Sequence, residues 1–275
     1  MAIDPISRRI FKNAGLIPIS NGRGPVVLMY HSIEKDRASI KTKWAVSHDS
    51  FKRQIQFLKN EGWHSFKVED LFSHPHFPVK SVIITFDDGF NNNFDFGFRV
   101  LLDYGITATW FIVTNDIGKQ SSWPENDIAA RDMLAASQIV EMTEGNMEIG
   151  SHTRSHPKLP ELNSEKINEE ICKSKEDLEN IISRPVYSFA YPFGRLNDDC
   201  VKAVKKAGYK IACTTKPGWA GSDTNRFLVR RVAIFGHDNL STFARKLAFA
   251  DTEVGWVKIL LYIKKQLWMK RLASA

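Results

Sequence analysis

The sequence predicts an α/β protein, a distorted (β/α) barrel of about seven parallel strands in a single domain. Three observations predict it. Short apolar runs rich in β-branched and aromatic residues alternate with longer amphipathic stretches, no internal repeat or linker interrupts the series, and reactive polar residues follow the apolar runs rather than precede them. In parallel barrels, chemistry gathers on the loops after the strands' C-terminal ends.

Residues 1–24 read as an N-terminal arm. Arg8, Arg9 and Lys12 precede no unbroken apolar core, because Asn13, Gly15, Pro18, Ser20 and Asn21 interrupt it. Neither a signal peptide nor a spanning helix is expected there, so the expected location is the cytoplasm. The barrel is expected over residues 25–250, with strands at Val26–Tyr30, Val82–Phe86, Thr107–Val113, Met147–Gly150, Ser188–Tyr191, Lys210–Thr214 and Leu228–Ile234. Between them, Asp49 to Asn60 places Phe51, Ile55 and Leu58 at helical spacing and stops before Gly62. A second helix runs from Ser164, read as its cap, to Ile181, with Ile167, Ile171, Leu178 and Ile181 on one face. Asp198 to Lys206, closed by Gly208, is a third. Residues 251–275 read as a basic amphipathic helix, and Lys258, Lys264 and Lys265 break its apolar run too early for a bilayer span. It suits either packing on the domain or peripheral contact with the anionic inner face of a membrane through residues 253–275.

Composition narrows the class. With 275 residues, 43% hydrophobic and 25% charged, the chain can bury one extensive core. Its formal charge of +7 is scattered rather than blocked, and no basic motif interleaved with aromatics is present, so a nucleic-acid partner is not expected. Cys172, Cys200 and Cys213 are odd in number and widely spaced, which argues against a disulfide framework or a thiolate zinc site.

The chemistry starts at Val82–Gly89, where an apolar strand delivers Asp87 and Asp88 into a glycine turn. Neighbours on an extended strand face opposite sides, so the two acids are expected to differ in role. His152 and His156 follow Met147–Gly150, Pro192-Phe193-Gly194 follows Ser188–Tyr191, and His31 follows Val26–Tyr30. Two imidazoles and one carboxylate, Asp88, form an open three-ligand set for a divalent metal, leaving a position for water or substrate. Such a metal lowers the pKa of bound water and polarises a carbonyl, and Asp87 is left to accept the water's proton. A metal-dependent hydrolase is the expectation.

These residues resemble the polysaccharide deacetylases, carbohydrate esterase family 4, over roughly Pro25 to Leu247. Thr85-Phe-Asp-Asp-Gly89 is similar to the family's first motif, and the resemblance implies Asp87 as base and Asp88 as metal ligand. Ser151-His-Thr-Arg-Ser-His156 is similar to the second, which implies both histidines as ligands. Tyr191-Pro-Phe-Gly194 resembles the third and implies that the Phe193 N–H receives the oxyanion, with Pro192 and Gly194 shaping the turn.

Two departures follow. The family's third motif carries an arginine where this chain has Ala190, so a group orienting Asp87 must come from elsewhere, and Arg231 is the candidate. The family's acid is a late histidine. Here His31 has a better strand context than His237, and it resembles a rearranged branch that includes bacterial poly-N-acetylglucosamine deacetylases, with the histidine near the N-terminus. Among the aromatics, Phe90, Trp110, Tyr191 and Phe193 are expected near the mouth, and Trp219 is expected as a substrate contact. His48, His64, His74 and His76 receive no role.

The resemblance implies removal of an N-acetyl group from an amino sugar in a glycan, or in a lipid- or nucleotide-linked precursor. One divalent ion is expected, zinc first, with nickel or cobalt as alternatives. An O-acetyl esterase or small-molecule amidase on the same fold, and a non-catalytic glycan binder, are the competing readings.

Overall fold

The computed structural model describes residues 24–255 apart from 75, 124–129 and 223–224, together with Pro5, Val257, Leu260, Leu261, Lys264 and Trp268. In chain order the elements are β1 (Val26–Tyr30), β2 (Ser32–Glu34), β3 (Ala45–Ser47), α1 (His48–Asn60), β4 (His64–Phe66), α2 (Asp70–Ser73) and β5 (Ser81–Phe86). A π-helical turn, Phe94–Phe98, runs into α3 (Arg99–Tyr104), followed by β6 (Thr109–Ile112), α4 (Ala136–Glu144), β7 (Glu148–Ser151) and α5 (Ser164–Ile182). The chain continues through β8 (Ser188–Ala190), α6 (Asp198–Lys206), β9 (Ile211–Cys213), β10 (Val232–Ala233) and α7 (Leu240–Phe249).

The main sheet is parallel and ordered β10-β1-β5-β6-β7-β8-β9, with β4 added on β5. This is a distorted (β/α) barrel. The register brings Tyr30 beside Phe86, Ile112 beside Ser151 and Ser151 beside Phe189 at or within a residue of the strand ends, while Phe86 pairs with Trp110 and β6 runs on to Ile112. Residues 229–233 form the seam. Val229 bridges to Cys213 next to β9, whereas Val232 and Ala233 pair with Leu28 and Met29 of β1. The stretch Leu228–Ile234, expected as one strand, is therefore shared between the two edges of the sheet.

Every residue of β1 and β5 is buried, which is why both read as unbroken apolar runs. Alternate positions divide between two faces. Val26, Leu28, Tyr30, Val82, Ile84 and Phe86 pack outward with Phe51, Ile55 and Leu58 of α1. Val27 and Ile83 pack inside the barrel with Phe111, Ala190, Ile211, Cys213 and Val229. Asparagines cap three of the helices, Asn163 on α5, Asn197 on α6 and Asn239 on α7, each accepting a backbone N–H. Asn163 rather than Ser164 is thus the cap of the long helix. The three-residue strands β2, β3 and β4 were not expected, because so short a segment shows no period of two.

The cysteines are free. No helix among the described residues is long and apolar enough to cross a membrane. The N-terminal arm, Pro5 aside, and most of residues 256–275 lie outside the described residues. Of the latter, Val257, Leu260, Leu261 and Trp268 are helical and exposed.

Glu148 opens β7 and is buried, with one carboxyl oxygen receiving the Thr109 hydroxyl (2.6 Å) and the Glu69 N–H (3.0 Å). Burial, with the Glu69 charge adding, pushes its carboxyl up from 4.5 to about 7. The fold therefore favours the protonated form, and the contribution of Glu148 to stability falls as pH rises from the unfolded value near 4.5 to about 7, then stays level. Glu148→Gln keeps the shape and the acceptor without the charge. In urea unfolding the variant is expected to match the parent near pH 4 and to exceed it by about 3 kcal/mol at pH 8; equal stabilities at pH 8 would show that Glu148 is ionised at no cost.

Candidate active site

The site stands on the C-terminal ends of the strands. At the end of β5 the Asp87 N–H donates to the Tyr30 carbonyl of β1 (3.0 Å), which sets Asp87 next to His31. Asp88 then adopts a left-handed backbone, φ 76, and Gly89 follows at φ 91. An extended pair would face opposite sides, but this turn brings both carboxylates to one pocket. That pocket, of about 420 Å³, is lined by Asp87, Asp88, His152, His156 and His31, among others.

Asp88, His152 and His156 each present a ligand atom, all within 4.8 Å of one another. The Nε2 atoms of His152 and His156 lie 3.5 and 3.4 Å from the same Asp88 oxygen. On the other side of its ring, His152 Nδ1 is 2.8 Å from the Ala190 carbonyl, which accepts its proton and leaves a bare lone pair at Nε2. Burial holds both imidazoles below their ordinary pKa, that of His156 well below. A lone pair aimed at a buried carboxylate is repulsive unless a cation lies between them, so the donor set fits a divalent metal.

The His-x-x-x-His segment is a tight turn rather than a helix, with Thr153 at φ 69 and His156 at φ 57. Glu170 of α5 clamps it. One of its oxygens accepts the N–H groups of Arg154 and Ser155, both at 2.9 Å, and the other accepts the Ser155 hydroxyl at 2.6 Å. The Thr153 hydroxyl accepts the His156 N–H at 3.1 Å. His156 Nδ1 is buried without a hydrogen-bond partner, so this clamp and the flanking rings of Trp123 (4.9 Å) and Phe193 (4.6 Å) orient the imidazole.

Arg231 comes from the seam and is 0% exposed. Its NH1 and NH2 groups donate to the two oxygens of Asp87 at 2.6 and 2.7 Å, while NH1 also reaches Thr85 Oγ1 (3.1 Å) and Nε reaches the Thr214 carbonyl (2.9 Å). Burial alone would raise the Asp87 carboxyl; the Arg231 charge, His152 and the paired hydrogen bonds outweigh it and hold it down to about 2. His31 packs against Trp44 with the rings tilted and 4.6 Å apart, its Nδ1 buried and unpartnered, and burial pulls it down to about 4 against the opposing pull of Asp87.

The profile described as polysaccharide deacetylase matches residues 74–212. The chain belongs to the polysaccharide deacetylase family. It is 29% identical to the poly-beta-1,6-N-acetyl-D-glucosamine N-deacetylase of Staphylococcus epidermidis over 222 residues, 76% of this chain and 74% of that one. A polysaccharide deacetylase from Bacillus cereus superposes with a TM-score of 0.69 at 30% identity, covering 81% of this chain and 68% of the other. The Streptococcus pyogenes deacetylase PplD, solved in complex with acetate, superposes at 0.71 with 26% identity, covering 81% and 97%.

Within this polysaccharide deacetylase chain the matched span holds Asp87, Asp88, His152, His156 and Phe193, while His31 and Arg231 lie outside it on opposite sides. Phe193 has a left-handed backbone, φ 58, and its ring is 52% exposed at the cleft. Pro192 is buried, and Gly194 at φ 65 has no room for a side chain, since a Cβ would lie 2.0 Å from Thr215 Oγ1. Trp219 is misplaced by the sequence reading. It packs on the hydrophobic core, and the following Ala220 N–H donates to the Pro25 carbonyl at the start of β1, the end of the barrel opposite the site. Phe90, Trp110 and Tyr191 are likewise buried, Trp110 stacked on Phe86 at 3.8 Å. His237 is exposed and stacks on Phe235 rather than lining the pocket. The aromatic walls are instead Trp44 and Trp123, which lie in irregular or three-residue segments that carry no periodic signal.

The clamp yields a test. Glu170→Ala frees two backbone N–H groups and is expected to weaken zinc binding about tenfold or more in calorimetry, while Glu170→Gln, which keeps an acceptor for both, recovers most of it. Unchanged zinc affinity in the alanine variant would show that the turn holds itself.

Proposed function

We propose that this protein is a metal-dependent hydrolase that removes the N-acetyl group from an amino sugar in a glycan or glycoconjugate, releasing acetate. The observation that carries the reading is the buried set Asp88, His152 and His156 beside an Asp87 whose two oxygens are both held by Arg231. The N-deacetylase activity of the staphylococcal relative and the acetate bound in the streptococcal structure support the same bond. A divalent ion at those three ligands, zinc first and nickel or cobalt as alternatives, would polarise the acetamide carbonyl and acidify water.

The remaining work falls to the chain's own groups. Asp87 accepts the proton of the attacking water, and Arg231 fixes the plane of its carboxylate. The Phe193 N–H, presented by its left-handed backbone, receives the developing oxyanion. His31, on the strand next to Asp87, gives a proton to the departing nitrogen. Because burial leaves His31 neutral at pH 7, that proton arrives during turnover rather than being stored in the resting site.

In a metal-replete acetate-release assay, Asp87→Asn is expected to keep its metal and lose about a hundredfold or more in kcat, whereas His152→Ala loses metal and activity together; near-normal turnover by the asparagine variant would remove Asp87 as base. Arg231→Met withdraws the charge that holds the Asp87 carboxyl down, so the acid limb of the rate profile moves to higher pH. An unmoved limb would mean that Arg231 does not set the ionisation of the base.

One observation favours a second reading, an O-acetyl esterase. His31 has no partner on Nδ1 to support a positive charge, and an ester leaving group needs less proton assistance than an amine. His31→Ala separates the two. The deacetylase reading expects loss of N-acetyl cleavage, far beyond that of His237→Ala; retained O-acetyl cleavage with no N-acetyl cleavage in the parent would favour the esterase.

A further inference from the structure

One cation in the cleft has no part in the proposed chemistry. Lys43 lines the pocket, is exposed, and makes no ion pair among the described residues. Its ammonium sits 5.0 Å from the centre of the Trp44 ring and 5.4 Å from that of Phe235. Cation–π contacts of this kind place a flexible side chain without neutralising it.

The backbone beneath is fixed as well. The Gly236 N–H donates to the Lys43 carbonyl at 2.8 Å, and a Cβ on Gly236 would lie 2.2 Å from the Ala45 carbonyl oxygen. The two segments are in direct contact, with no space for a side chain between them. Phe235 faces a second ammonium, that of Lys246, but Lys246 is buried and paired with Asp238. Lys43 thus keeps the uncompensated charge.

Position gives this charge a meaning. Trp44 links Lys43 to His31, so the ammonium stands on the side of the cleft where the leaving nitrogen departs. The acids of the pocket are already engaged, Asp87 by Arg231 and Asp88 between two imidazoles. Trp123 and Phe193, which line the cleft around His156, are uncharged.

Resting on the deacetylase reading, we infer that the cleft has an anion subsite at Lys43, and that the glycan accepted carries a phosphate, sulfate or carboxylate on the sugar that is deacetylated or on its neighbour. The ring of Trp44 is the platform beside it. A neutral homopolymer would leave this charge without a partner.

Two N-acetylglucosamine tetramers, identical except for one phosphate monoester, test it with the parent, Lys43→Met and Lys43→Glu. The parent is expected to prefer the phosphorylated tetramer in kcat/KM by about fivefold, carried by KM, and to lose the preference as salt is raised. Lys43→Met brings the ratio of the two substrates to about one, and Lys43→Glu inverts it. A parent that does not discriminate, or a ratio that survives in Lys43→Met, overturns the subsite. Calorimetric binding of the same tetramers reads the subsite even when neither releases acetate, a result that would count against the deacetylase reading instead.

Discussion

The paired hydrogen bonds between Arg231 and Asp87 are the interaction on which both the barrel and the site depend. Two charges with 0% and 2% exposure have been taken out of water, a cost recovered only when geometry is good and every remaining donor is satisfied. Thr85 and Thr214 supply those last acceptors, one from β5 and one from the chain just after β9. Arg231 itself belongs to the segment that joins β9 to β1. The segment that closes the sheet and the group that orients the Asp87 carboxylate are therefore the same stretch of chain.

Around that contact the rim holds its reactive groups in backbone conformations that L-residues seldom adopt. Asp88, Thr153, His156 and Phe193 all have φ between 57 and 76. Each costs of order 1 kcal/mol, and the surrounding hydrogen bonds hold it there. The Glu170 clamp is the clearest case, since a helix surface residue fixes a turn that its own sequence would not favour. Such positions need no rearrangement to bind, which is what a metal or an oxyanion requires of its ligands.

Legibility followed burial and strand strength. The strands β1 and β5 were readable to within a residue because both faces are covered, so apolar residues run without a break. The clustering of Asp88, His152 and His156 was readable because each lies just after an apolar strand. Arg231 was reachable only by its absence elsewhere, at Ala190, whose carbonyl instead receives the His152 ring N–H. Trp219 was misread because residue type does not say which end of a strand a side chain occupies. Trp44, Trp123, Lys43 and Glu170 carried no signal, since loop aromatics and charges on a helix resemble ordinary surface until the fold gives them neighbours.

The pairing of β10 with β1 has one more consequence, for chain order rather than chemistry. A barrel whose first strand lies beside its last is closed like a ring, and a ring has no privileged place to be cut. The same circle of side chains can be written from different starting points along a chain. His31 and Arg231 are far apart in the sequence, yet one lines the pocket with Asp87 and the other grips the same carboxylate.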